Sequence, residues 1–145
     1  MSAATPQCDF DNPASVVTAF IQAMNAWEVE SSQSEMACRT TNEPFSYQSS
    51  VRNKMDAIFV RFCTPKERKF VRLGSFAKPP EYNPAKERVL ETQIDESRKR
   101  AYVTTLRESV LFGGRHRYAL ARKEGKWLID ALKCERRGKW QNAIL

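Results

Sequence analysis

The chain reads as an α+β protein, and three features predict it. Two helical stripes of apolar residues occupy the N-terminal part, short strand-like runs fill the C-terminal half, and Lys123-Glu124-Gly125-Lys126 joins two of those runs as a hairpin. Runs of helix followed by runs of strand point to helices gathered on an antiparallel sheet.

Asp11-Asn12-Pro13 is a helix start, with a side-chain oxygen at the cap and proline at the first helical position, where a missing N–H costs nothing. Val16, Val17, Phe20, Ile21, Met24 and Trp27 then recur at helical spacing, and the helix is expected to continue through Glu28 to Glu35. Thr40 to Pro44 reads as a break. Ser49 or Ser50 is the expected cap of a second helix, with Val51, Met55, Ile58, Phe59 and Phe62 as its apolar stripe. Thr64-Pro65 ends it, because the residue before proline is pushed out of the α region.

Five strands are expected over residues 70–76, 89–94, 101–106, 118–122 and 127–132. The proline-rich loop Lys78 to Pro84 separates the first two, and Glu96–Lys99 and Gly113-Gly114 serve as turns. The spacing suits an antiparallel meander. On the last strand, Trp127, Ile129 and Ala131 should share one face and Leu128, Asp130 and Leu132 the other. Both sets are partly apolar, so one face should lie under the helices and the other under a partner or the tail Gly138 to Leu145.

A chain of 145 residues with 41% hydrophobic and 28% charged residues is expected to form one domain over residues 1–145, with 1–11 as a loose N-terminal arm. No apolar run nears the roughly 18 residues of a membrane span. Met1 to Cys8 has neither the basic nor the apolar region of a secretion leader, so a cytoplasmic location is expected. Cys8, Cys38, Cys63 and Cys134 are scattered beside a single histidine, His116, a pattern that gives no zinc ligand set and calls for no metal or cofactor. Reduced thiols are expected. The net charge of +7 is unevenly spread: −5 over residues 1–50 and +12 over the rest. That division predicts one surface for cationic partners and another for anionic ones.

Several segments together resemble a known family. They are Phe20-Ile21-Gln22-Ala23-Met24-Asn25-Ala26-Trp27-Glu28, the helix exit Phe62-Cys63-Thr64-Pro65-Lys66-Glu67-Arg68-Lys69, the loop Pro79-Pro80-Glu81-Tyr82-Asn83-Pro84, the strand Gly125-Lys126-Trp127-Leu128-Ile129-Asp130, and Gly138-Lys139-Trp140. In this order they span nearly the whole chain and resemble the immunity proteins of the nuclear transport factor 2-like (NTF2-like) fold from bacterial polymorphic toxin systems. The resemblance implies a cone with a pocket between the helices and a strongly bent sheet, and a protein that binds and neutralises a cognate toxin without catalysis. Homodimerisation is plausible for such a fold.

High affinity needs an aromatic or arginine anchor inside a charged rim, and Trp27, Arg136 and Trp140 are the candidates. Glu28, Glu30 and Glu35 form a candidate acidic patch to plug the cationic cleft of a nuclease toxin. Two other readings stand beside this one. An isomerase or dehydratase would use Asp130 as base with Tyr47, Tyr102 or Tyr118 as donors. The plainer account of Asp130 is a cross-sheet pair with Arg or Lys. His116, between Arg115 and Arg117, is a poor general base, and Cys63 is expected to fill the core rather than act as a nucleophile. A nucleic-acid module would use Arg98-Lys99-Arg100, Arg115, Arg117, Arg122 and Lys123 with Tyr102, Phe112 and Tyr118. The alternative there is a solvated basic edge.

Overall fold

The computed structural model describes residues 8–38, 41, 48–65, 82–108, 113–143 and 145. Among these residues it has helices α1 (Pro13–Cys38) and α2 (Gln48–Phe62), followed by strands β1 (Glu87–Asp95), β2 (Arg100–Arg107), β3 (Gly114–Lys123), β4 (Lys126–Arg136) and β5 (Lys139–Ala143). The strands form one antiparallel sheet in the order β1-β2-β3-β4-β5. The expected strand over 70–76, the loop residues 78–81, Tyr47 and Phe112 lie outside the described residues.

The predicted start of α1 is formed by Asn12. Its Oδ1 accepts from the Ala14 N–H at 3.0 Å and its carbonyl accepts from Val16 at 3.2 Å. Val16, Val17, Phe20, Ile21, Met24 and Trp27 are all buried. At the other end, the Thr41 N–H and hydroxyl both donate to the Cys38 carbonyl, at 3.1 and 2.8 Å. Helix α2 begins at Gln48, so Ser49 and Ser50 lie inside it instead of capping it. Its exit is stitched to the sheet: the Thr64 N–H donates to the Ile129 carbonyl at 2.8 Å, and Cys63 bridges Ile129. Cys63 is buried in the core, as expected.

Of the expected loose arm, residues 1–7 lie outside the described residues and residues 8–11 are docked. The Phe10 carbonyl accepts from the Trp127 N–H at 2.9 Å, its ring stacks on Phe62 at 6.2 Å, and Asp11 meets Arg122 at 3.1 Å. The tail, expected to dock over the second face, extends the sheet edge instead. It forms β5, paired with β4 from Arg136↔Lys139 to Leu132↔Ala143. Both hairpin turns that frame β4 put two successive residues at positive φ: Glu124 (50°) with Gly125 (79°), and Arg137 (53°) with Gly138 (76°). That pairing is the mirror-image turn whose twist suits a two-residue hairpin.

Two β-bulges bend the sheet, with Leu90 as the extra residue in β1 and Asp130 in β4. The second changes the expected facing. Across the bulge the alternation slips by one, so Leu132 joins Trp127 and Ile129 on the buried side while Ala131 turns outward. What read as a strand with two apolar faces is one apolar face interrupted by a bulge.

The core lies between the helices and the inner face of the sheet, and Phe20 is at its centre. Its ring meets Tyr82 (5.5 Å), Phe59 (6.0 Å), Phe62 (6.3 Å) and Tyr118 (6.5 Å), mostly edge to face. Deleting a ring so enclosed removes transfer energy and leaves a hole. Phe20→Ala is expected to cost about 3–5 kcal/mol, read as a lower denaturant midpoint at unchanged slope.

Candidate functional site

The inner face of the sheet carries charge as well as carbon. Glu87 on β1 and Arg107 on β2 are register partners, and their side chains are 1% and 2% exposed. Arg107 Nε donates to Glu87 Oε1 at 2.8 Å, while Thr105 Oγ1 and Tyr118 OH donate to Glu87 Oε2 at 2.6 and 2.9 Å. Arg107 Nη2 also donates to Tyr118 OH at 3.1 Å, and its guanidinium lies 4.8 Å from the Tyr82 ring centroid. Burial opposes the arginine's charge, but Tyr118, Glu87 and Tyr82 outweigh it and hold its pKa above the ordinary value. Burial also drives the Tyr118 hydroxyl well above the normal phenol range, against the pull of Arg107. A pair this dry tolerates no loss of one member. Arg107→Ala, which strands Glu87, is expected to cost about 3–5 kcal/mol in a denaturation series.

Tyr82 is placed by the first helix. Asn25 Nδ2 donates to its carbonyl at 2.7 Å and Glu28 Oε1 accepts from its N–H at 3.0 Å. Trp27 is equally internal, its Nε1 donating to the Val51 carbonyl at 2.9 Å. Trp27 and Glu28 are 3% and 4% exposed, which corrects their reading as toxin-contacting residues. Glu30 is exposed but salt-bridged to Lys54, and Glu35 is half-buried. The three glutamates therefore do not form one outward acidic patch.

His116 extends the interior cluster. Its Nδ1 lies 3.2 Å from the Gly114 carbonyl, and burial, followed by the charge of Arg107, pushes its pKa down to about 4. Glu87 pulls the other way, and Arg136 adds to the lowering. The folded protein thus holds a neutral imidazole at pH 7, whereas the unfolded chain takes up a proton near the ordinary 6.5. Stability contributed by the neutral form is complete above about pH 6.5 and drains away as pH falls toward about 4. His116→Gln should flatten that part of the stability–pH curve, measured by denaturation at successive pH values.

Asp130, the candidate base, stands on the β4 bulge. Its Oδ1 accepts from Thr64 Oγ1 at 2.8 Å and its Oδ2 faces Arg100 Nη1 at 3.4 Å. The cross-sheet pair is what forms. Tyr118 is bound to Glu87 inside the fold and Tyr102 stands 39% exposed on the outer face, so these two proposed donors do not converge on Asp130. A groove of about 1120 Å³ does open beside Asp130, between α2 and the β3–β4 hairpin, with Met55, Phe59, Val60 and Leu128 among its walls. The nucleic-acid set is similarly divided. Arg98 and Lys99 sit in the β1–β2 turn, Arg122 pairs with Asp11, and Tyr102 and Tyr118 point to opposite sides of the sheet.

The outer face remains. Arg117 on β3 lies 4.3 Å from the Trp140 ring centroid and 6.0 Å from that of Tyr102, which places a guanidinium between two rings from β5 and β2. Arg136, the other anchor candidate, is exposed at the end of β4 on the opposite face from Trp140, since Glu135 is Trp140's register partner. Periodicity could have grouped Tyr102, Arg117 and Trp140 only with the strand order and the β4 bulge already known.

Two helices on the inner face of a curved antiparallel meander define an NTF2-like α+β protein. The family described as NTF2 fold immunity protein matches residues 12–143, and the chain belongs to it. It is also similar to Immunity protein RhsIA of Dickeya dadantii (strain 3937), 33% identical over 118 residues that cover 79% of this chain and 81% of the relative. No solved structure matches the chain. No helix among the described residues is long and apolar enough to cross a membrane.

Proposed function

We propose that the chain neutralises a toxin domain in the cytoplasm by non-covalent occlusion, without turnover of any substrate. Membership of an immunity-protein family supports the capture of a toxin. The observation that supports contact over chemistry is the interior. Enzymes of this fold set an acid and a base in an apolar pocket, whereas here that region holds Glu87 and Arg107 at 1% and 2% exposure, with Thr105, Tyr118 and Tyr82 around them. A carboxylate that already accepts from Arg107, Thr105 and Tyr118 has little capacity left to take a proton from a substrate. The surface is then left to do the work, as in tight protein complexes where a few desolvated anchors carry most of the energy.

Occlusion and chemistry differ in stoichiometry. Titrating the purified chain into the toxin domain encoded by the neighbouring reading frame should abolish toxin activity at one equivalent, with a stable complex on size-exclusion chromatography. Inactivation by a few per cent of an equivalent, or protection of cells without any complex, would be the signature of an enzyme and would end this reading.

A further inference from the structure

We propose that the outer face of the sheet is the toxin-docking surface, that the toxin meets it with carboxylates, and that one of them is gripped by Arg117 between Trp140 and Tyr102. This rests on the reading of the chain as a toxin-occluding protein and adds which face binds and what chemistry it binds.

Three observations converge on the face. The first is the stack itself: Trp140 and Arg117 are half-buried and Tyr102 is 39% exposed, so the rings fix the guanidinium without removing it from solvent. Tryptophan, tyrosine and arginine are the residues that dominate binding hot spots. A planar fork held by rings also loses little entropy on seizing a carboxylate.

The second is unmet hydrogen-bonding capacity. The Arg117 Nε–H is buried and has no acceptor among the described residues. A buried donor in that condition is costly, and a bidentate carboxylate arriving on the guanidinium is the ligand class that relieves it.

The third is the sign of the face. Register places Arg88, Arg115, Arg117 and Lys133 on the same side as Tyr102, and none of them has a carboxylate within ion-pair distance among the described residues. The acids sharing that face are fewer. Asp95 is engaged by Ser97 and the Arg98 N–H, which leaves Glu91 and Glu135. Such a field speeds the approach of an acidic partner and disfavours a basic one. The partner's chemistry is therefore opposite to the one the N-terminal acidic residues had implied.

The test measures affinity for the toxin domain from the neighbouring reading frame by calorimetry, at low and physiological salt. Arg117→Glu is expected to weaken binding about 100-fold or more and Arg117→Lys about tenfold, because lysine keeps the charge and loses the fork. Lys133→Glu, at an exposed position, should weaken binding with a smaller effect that shrinks as salt rises. Glu30→Gln on α1, across the sheet from this face, should leave affinity unchanged.

Wild-type chain that fails to bind removes the toxin-occluding reading and this proposal together. Wild-type binding that survives both Arg117→Glu and Lys133→Glu removes this proposal alone. Sedimentation showing that the face closes on a second copy, with toxin affinity indifferent to Arg117, would also overturn it. So would tight, salt-sensitive binding of a single-stranded oligonucleotide that competes with nothing on the toxin.

Discussion

Arg107 enters the interior from the end of β2 with 2% of its side chain exposed, and the rest of the fold is arranged around keeping that charge paired. Removing an ion from water costs several kcal/mol even after relaxation, and only good geometry with further hydrogen bonds recovers it. Glu87 supplies the counter-charge from β1, while Thr105 and Tyr118 bind the same carboxylate from β2 and β3. Tyr82 lies over the guanidinium and is itself clasped at N–H and carbonyl by Glu28 and Asn25 of α1. A continuous polar chain therefore runs from the first helix to the third strand. Apolar burial supplies the bulk of the driving force, but it is non-directional. The ion pair and its partners are what specify how α1 lies on the sheet.

The same arrangement places paired polar groups, rather than free ones, on the inner face of the sheet among the described residues. The residue types that might suggest acid–base chemistry are present, but the Glu87 carboxylate is held by Tyr118, Thr105 and Arg107, and His116 meets the Gly114 carbonyl. His116 is held neutral by burial beside Arg107, and Tyr118 is kept from ionising. Perturbed titration often marks catalysis, yet here it marks a structural network.

Much of the architecture was legible because helical stripes are local. Val16 through Trp27 needed only the 3.6-residue period, and the Asn12 cap needed only its neighbours. Glu28 shows both the reach and the limit of such reading. It continues the stripe of Met24 by four residues, which signals burial, but its partner is a backbone N–H at Tyr82, which no periodicity reveals. Ala131 and Leu132 exchange their expected faces for a different reason, since the inserted Asp130 resets the alternation of every position beyond it. Charge was the least transferable. The net −5 of the first fifty residues spreads over a buried Glu28, a Glu30 bridged to Lys54 and an Asp11 bridged to Arg122, so a segment's sum did not become a surface.

The sequence Gly-Lys-Trp occurs twice, after Glu124 and after Arg137, each time leaving a tight turn of the same hand. Yet Trp127 is 1% exposed in the core and Trp140 is half-exposed on the outer face. One motif, used on successive hairpins, thus furnishes a keystone and a handle. Because alternate positions along each strand look to different sides, a side chain on the handle side can be exchanged without disturbing the packing on the keystone side.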